Sequence, residues 1–313
     1  MPAFRLGIVG GGRMGQTHLR ALEPSESVQV VAVVEPYEAT GVKLRGLGLR
    51  VHSTVAEMLA CEELDGVIIT APTDQHQALV EEIAASGLAM LCEKPTGLSA
   101  AQAHAAGEAA ARHGSLLQIA YWRRFVPALQ ELRSNIASGA LGDVHMTICK
   151  QWDEAPPATK FRAHSGGIFI DMGVHEIDQL RWLTGCEIVD VTAVSYPRVQ
   201  DLDAVGDVDS AQALVTMSGG SAAVISLGRF YRGGDLVAVE VLGSGDHRSL
   251  TVLGPDDGEG PQLEALRLQA EAFARCAAGG PQEGATIVDA ERALEAADRL
   301  SRAAGLQLLG DEA

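Results

Sequence analysis

Short apolar runs alternate with helical patterns through the first part of the chain. The runs are Phe4–Val9, Val28–Val34, Gly66–Thr70, Leu88–Cys92 and Leu116–Ala120. Each has the length of a strand. Between them, Thr73–Ser86 and Ser99–His113 carry the helical spacing, with Ser99 as an N-cap and Gly114 as a stop just past the last turn. Strands this continuously apolar, with helices between them, predict a parallel sheet covered on both faces. The stretch around Gly41–Gly48 is too rich in glycine to assign.

The rhythm changes near residue 121. A helix is predicted over Val126–Ser138, then a strand over Val144–Trp152, a proline-bearing loop over Asp153–Ala163 and a helix over 172–183. From Glu187 to Leu253 strand patterns follow one another without helices. Ser210–Met217 and Ala222–Gly228 flank Ser218-Gly219-Gly220-Ser221, a hairpin signal. An antiparallel or mixed sheet is therefore expected. Two amphipathic helices, Gln262–Ala278 and Thr286–Ala304, follow. The reading is an α/β chain of two domains, residues 1–121 and 122–313.

Composition narrows the class. The 313 residues are 47% hydrophobic but only 4% aromatic, so the cores are built from Ala, Val, Leu and Ile. The 24 basic residues face 41 acidic ones, a net charge of −17, which disfavours nucleic acid or an anionic membrane as partner. No segment reaches the roughly 20 apolar residues that span a bilayer. The start, MPAFRLGIVGGG, has too short an apolar run for a signal sequence. Cys61, Cys92, Cys149, Cys186 and Cys276 are scattered without a C-x-x-C pair, the pattern of reduced thiols in a cytoplasmic protein. Nothing supports a zinc site.

Three places carry candidate chemistry. Gly10-x-Gly12-x-x-Gly15 ends the first strand, where glycines serve the turn, the close approach of a pyrophosphate and strand–helix packing. Glu35 follows the second strand, about 20 residues on, where a carboxylate binds the adenosine ribose and repels a 2′-phosphate, favouring NAD over NADP. Leu91-Cys92-Glu93-Lys94-Pro95 and Ala71-Pro72-Thr73-Asp74-Gln75-His76 close two further strands. There, beyond the carboxyl ends, open parallel sheets bind ligands. In Gly167-Ile168-Phe169-Ile170-Asp171-Met172-Gly173-Val174-His175, Asp171 is expected at a helix cap and His175 about one turn below it. On its own that pair reads better as an ordinary helix start, with Asp171 a cap and His175 a satisfied helix histidine.

Taken together, GIVGGGRMGQTH, TAPTDQH, CEKP, YWRRF and GGIFIDMGVHEID resemble the glucose–fructose oxidoreductase / inositol dehydrogenase (Gfo/Idh/MocA) family, in its order and spacing. Within that family the likeness is to bacterial inositol 2-dehydrogenases. The resemblance implies an N-terminal Rossmann domain that binds NAD and a C-terminal α+β domain with an open, mostly antiparallel sheet for substrate and oligomerisation. A homodimer or homotetramer is implied. It assigns cofactor binding to Gly10, Gly12, Arg13, Met14, Gly15, Glu35, Ala71, Pro72, Thr73, His76, Glu93 and Lys94. It assigns catalysis to Lys94, Asp171 and His175, and substrate binding to Trp122, Arg123, Gln151, Asp153, Asp171, His175 and Tyr231. The implied reaction is oxidation of a secondary hydroxyl of an inositol, sugar or sugar derivative. A glycoside hydrolase using transient oxidation and a non-catalytic NAD-binding sensor share the fold, and the intact triad argues against the sensor. Gln151 and Asp153 stand where inositol dehydrogenases offer a histidine and an asparagine, and Trp122 replaces a methionine, so the choice of polyol stays open. Arg123, Arg124, Arg229 and Arg232, with Tyr231, either bind an anionic substituent or pair with the protein's own carboxylates, the second being favoured.

Overall fold

The computed structural model describes residues 2–197 and 207–306. The chain divides into two compact units. One comprises Met1–Trp122 and Gln262–Glu291, the other Arg123–Pro261 and Arg292–Ala313.

The first unit is built on β1 (Phe4–Val9), α1 (Arg13–Leu22), β2 (Val28–Val34), α2 (Glu38–Gly46), β3 (Arg50–His52), α3 (Val55–Cys61), β4 (Gly66–Ile69), α4 (His76–Ala84), β5 (Ala89–Cys92), α5 (Ala100–His113) and β6 (Leu117–Ile119). All six strands are parallel, in the order β3-β2-β1-β4-β5-β6. The order reverses between β1 and β4, the switch point where doubly wound sheets open a crevice at their carboxyl ends. Leu6, Ile8, Val33, Ile68 and Leu91 are fully buried, as continuously apolar strands require. Ser99 caps α5 by accepting from Gln102 N at 3.3 Å, and Gly114 ends it at φ 65°.

Two features exceed the sequence reading. The glycine-rich stretch is helical because Leu44, 1% exposed, joins the core and outweighs the poor propensity of its neighbours. β3 has three residues, too few to show a period. The peptide Lys94–Pro95 is cis.

The last part of the chain corrects the assignment of all of 122–313 to one domain. In α9 (Gly260–Ala277), Ala270, Phe273 and Ala274 recur at helical spacing and enter the core formed by Leu6, Ile8 and Leu91. Phe273 meets Phe4 edge to face, with ring centroids 6.0 Å apart. Ser25 donates to Glu271 at 2.9 Å. This helix therefore belongs to the first unit.

The second unit contains α6 (Pro127–Ala137), β7 (Val144–Trp152), a short turn α7 (Thr159–Arg162) within the expected loop, α8 (Val174–Thr184), β8 (Ile188–Tyr196), β9 (Ser210–Met217), β10 (Ala222–Gly228), β11 (Leu236–Gly243) and β12 (His247–Leu253). The helix α10 (Ile287–Ala303) crosses the division between units. The sheet order is β12-β11-β7-β10-β9-β8. Among the described strands of this sheet only β7 and β10 run parallel, so it is mixed and mostly antiparallel. Burial alternates along its strands. Ala211, Ala213, Val215, Ala223, Ile225 and Leu227 face inward, whereas Val194, Tyr196 and Leu214 on the opposite face are more than half exposed.

The expected cap at Asp171 is also corrected. Ile168 and Phe169 are fully buried and already helical, and residues 169–173 form a wider π turn leading into α8. Asp171 lies inside that turn, its N–H donating to Gly167 O at 2.9 Å. Burial of the apolar run starts the helix earlier than capping rules predict.

Candidate active site

In the first unit the site is made at strand ends. Gly10 follows β1 with φ 108°, and a Cβ there would lie 2.7 Å from Ala71 N. A Cβ on Gly15 would lie 2.0 Å from Gly10 O, so α1 packs this close to the turn only with glycine. Gly12 precedes α1 with no side-chain cap, and a Cβ there would meet nothing within 4 Å. The first turn of α1 holds no acidic residue. Its open N–H groups and positive helix end suit a phosphate. Arg13 is exposed and Met14 half-buried beside them.

Glu35 is turned to the same loop. Its Oε2 accepts from Gly11 N at 3.0 Å and its Oε1 from Tyr37 N at 2.8 Å, which fixes the carboxylate and leaves lone pairs for ribose hydroxyls. The glycine turn, the open helix start and this carboxylate fit a dinucleotide. Ala71 and Pro72 follow β4, and Thr70 Oγ donates to Gly10 O at 2.6 Å, locking the two strand ends together.

Glu93, Thr73 and His76, which the resemblance gives to the cofactor, are buried. Glu93 Oε1 lies 2.8 Å from His18 Nε2, and Glu93 Oε2 accepts from Lys94 N at 3.2 Å. His76 places Nδ1 2.7 Å from Pro95 O and Nε2 2.8 Å from Ala71 O. Burial pushes the His76 imidazole below its ordinary value, and the two carbonyl bonds oppose that shift without overcoming it. Lys94 itself is partly exposed at the end of β5.

The second unit gathers charges that are remote in sequence. Arg229, at the end of β10, is fully buried. It donates to Asp171 Oδ2 at 2.9 Å and reaches Asp207 at 3.2 Å and Asp153 at 3.4 Å. Burial works against its charge, but Asp171, Asp207 and Asp153 outweigh burial and push its pKa up. Burial, aided by Asp171 and Asp235 and opposed by Arg229, pushes the Asp153 carboxyl up to about 6. His175 is 7% exposed in the first turn of α8, one residue before Glu176.

Arg123 is bound to Glu176 and donates to Gln151 Oε1 at 2.7 Å. Burial pushes the Glu176 carboxyl up, against the pull of Arg123. Arg124 forms a two-point pair with Asp178 at 2.5 and 3.0 Å. Three of the four arginines thus pair with the protein's own carboxylates, the reading favoured from the sequence, while Arg232 is exposed. Trp122 is buried, and Tyr231 is 36% exposed, its N–H donating to Asp153 O at 2.8 Å. Asp207 was not among the expected site residues, and Arg229 was expected only as one of a group of arginines. Asp207 stands outside any strand, in the acidic stretch DLDAVGDVDS, and Arg229 just past the apolar run of β10, so neither has a local period that marks it.

Residues 4–121 match the oxidoreductase family with an NAD-binding Rossmann fold, and residues 129–246 match the GFO/IDH/MocA C-terminal domain. The chain belongs to this family of NAD-binding oxidoreductases. It is 45% identical to the rhizopine catabolism protein MocA of Rhizobium meliloti, over 95% of this chain and 94% of that protein. It is 34% identical to the myo-inositol dehydrogenase Hyg17 of Streptomyces leeuwenhoekii, over 95% and 96%. Among solved structures, scyllo-inositol dehydrogenase from Lactobacillus casei, with bound NAD(H) and scyllo-inositol, superposes at a TM-score of 0.84 and 25% identity, covering 96% of each chain.

Proposed function

We propose that the protein is an NAD-dependent polyol dehydrogenase that oxidises a secondary hydroxyl of an inositol or related sugar to a ketone. The observation that supports it most directly is the pairing of a dinucleotide loop with a separate buried histidine–carboxylate group at Asp171 and His175. Bound NAD supplies the hydride acceptor. His175 takes the hydroxyl proton, as an imidazole near neutrality does. Lys94 donates a hydrogen bond to the same oxygen and stabilises the developing alkoxide. Asp171, held on one side by Arg229, takes a neighbouring hydroxyl or orients His175.

The first unit, in this reading, holds the cofactor and the second the substrate. Since Arg123, Arg124 and Arg229 are already neutralised and Asp153 stands among further carboxylates, an anionic substituent is disfavoured and a neutral polyol fits better. The exposed apolar side chains Val194, Tyr196 and Leu214, on adjacent strands, support a homodimer or homotetramer joined through that sheet face. Mass by light scattering checks it. Five unpaired cysteines support a reducing, cytoplasmic setting, and among the described residues no helix is long and apolar enough to cross a membrane.

The test is NADH formation from a panel of inositols, neutral sugars and their acidic counterparts. His175→Ala should then lower kcat by ~10²–10⁴-fold while NAD binding stays within ~2-fold. Near-normal turnover by that variant would sink the assignment.

A further inference from the structure

The peptide that carries Lys94 is gripped from both sides by buried histidines on different helices. His18, in α1, is fully buried, and its Nε2 lies 2.8 Å from Oε1 of the nearly buried Glu93. The second Glu93 oxygen accepts from the backbone N–H of Lys94 at 3.2 Å. On the other side, His76 at the start of α4 lies between two carbonyls, Nδ1 2.7 Å from Pro95 O and Nε2 2.8 Å from Ala71 O, and its neutral ring donates to one of them. Lys94 thus stands between two anchored neighbours, one linked to the helix of the glycine loop and one to the end of β4.

Stability is a weak explanation for such a pair. Burying a carboxylate is costly even when it is matched, and two apolar side chains of the same volume are often as good or better. The His18 Nδ1 is buried with no hydrogen-bond partner among the described residues, a further cost that packing alone does not require. What the pair adds is a fixed polar link between α1 and the residue that follows β5. Burial favours a neutral Glu93, yet His18 first, and then the charges of Lys94 and His76, hold its carboxyl below the ordinary range, so it stays an anion. Cys92, the remaining titratable neighbour, is pushed up by burial and stays a thiol.

We propose that His18 is a positioning residue for the reaction: through Glu93 it fixes the backbone of Lys94 relative to the glycine loop, so that the lysine is placed by the same helix that binds the diphosphate. The inference rests on the reading that Lys94 acts on the substrate hydroxyl. It predicts that the histidine ending the motif GIVGGGRMGQTH contributes to turnover although it touches neither cofactor nor substrate.

The experiment uses the full chain with whichever polyol gives NADH. Silence of the unaltered protein with every polyol overturns the reaction itself; the remaining outcomes bear on the positioning role alone. His18→Leu should lower kcat by ~10–100-fold, with KM and the NAD Kd within ~2-fold. His18→Gln, whose amide nitrogen replaces Nε2, should recover to within ~3-fold of the unaltered kcat. In a Lys94→Met background His18→Leu should cost less than ~2-fold, because the group it positions is gone. An equal loss in both backgrounds, or an unchanged kcat in His18→Leu, overturns the proposal. If His18→Leu does not fold, His18→Asn, whose amide is too short to reach Glu93, replaces it with the same expectation.

Discussion

At the ends of β1 and β2 the site is made of backbone: three glycines, an open helix start and a carboxylate held by two N–H groups. In the second unit the equivalent work falls to side chains, with Arg229 among Asp153, Asp171 and Asp207, and Arg123 and Arg124 each on an acid of α8. A backbone cradle is held by the close packing of its own main chain, and at Gly10 and Gly15 it tolerates no added atoms. A buried ionic network is held only by mutual compensation, and it fails when the cation its acids share is removed. The first arrangement suits a ligand shared by many enzymes, the second a substrate that differs among them.

The sharpest way to break the contrast is Arg229→Met. Three carboxylates would lose the guanidinium between them, and unfolding in urea should show a loss of ~3–5 kcal/mol. A loss below ~1 kcal/mol would mean that these acids are compensated elsewhere. Next, Glu35→Ser tests the backbone side. Removing the carboxylate that repels a 2′-phosphate should shift the ratio of kcat/KM for NADP against NAD by ~10–100-fold, while Tm changes little. An unchanged ratio would remove Glu35 from cofactor choice.

The smallest effect concerns Asp153. Its carboxyl titrates at the ordinary 3.8 when the chain is unfolded and near 6 in the folded protein. The folded state therefore binds more protons between those values, and stability falls as pH rises through that window. Asp153→Asn should raise Tm by a few °C (~2–4) at pH 7, with the gain gone by about pH 4. Calorimetry at the two pH values reads it, and a gain independent of pH would contradict the titration.

What was legible in the sequence follows the same division. The parallel strands, Gly10, Gly12, Gly15 and Glu35 all declare themselves locally, because turn geometry and strand periodicity act over a few residues. The identity of α8 as a helix was equally visible, but the position of Asp171 within it was not, since burial of Ile168 and Phe169 moved the helix start. The carboxylate partners of Arg123, Arg124 and Arg229 lie more than 50 residues away from them, apart from Asp207, and no local pattern reports such pairing. Glu93 shows the limit from the other side. Its motif marks a ligand site, and its side chain meets His18, 75 residues away, a partner that no local pattern reports.

The edge-to-face contact between Phe4 and Phe273 sets a timetable for synthesis. A ribosome makes the strand of Phe4 long before the helix that shields it, so the nascent sheet must wait with an uncovered apolar flank. A gene cut after codon 121 would leave that flank bare for good, and its product should aggregate or enlist a chaperone rather than behave as a free-standing nucleotide-binding module.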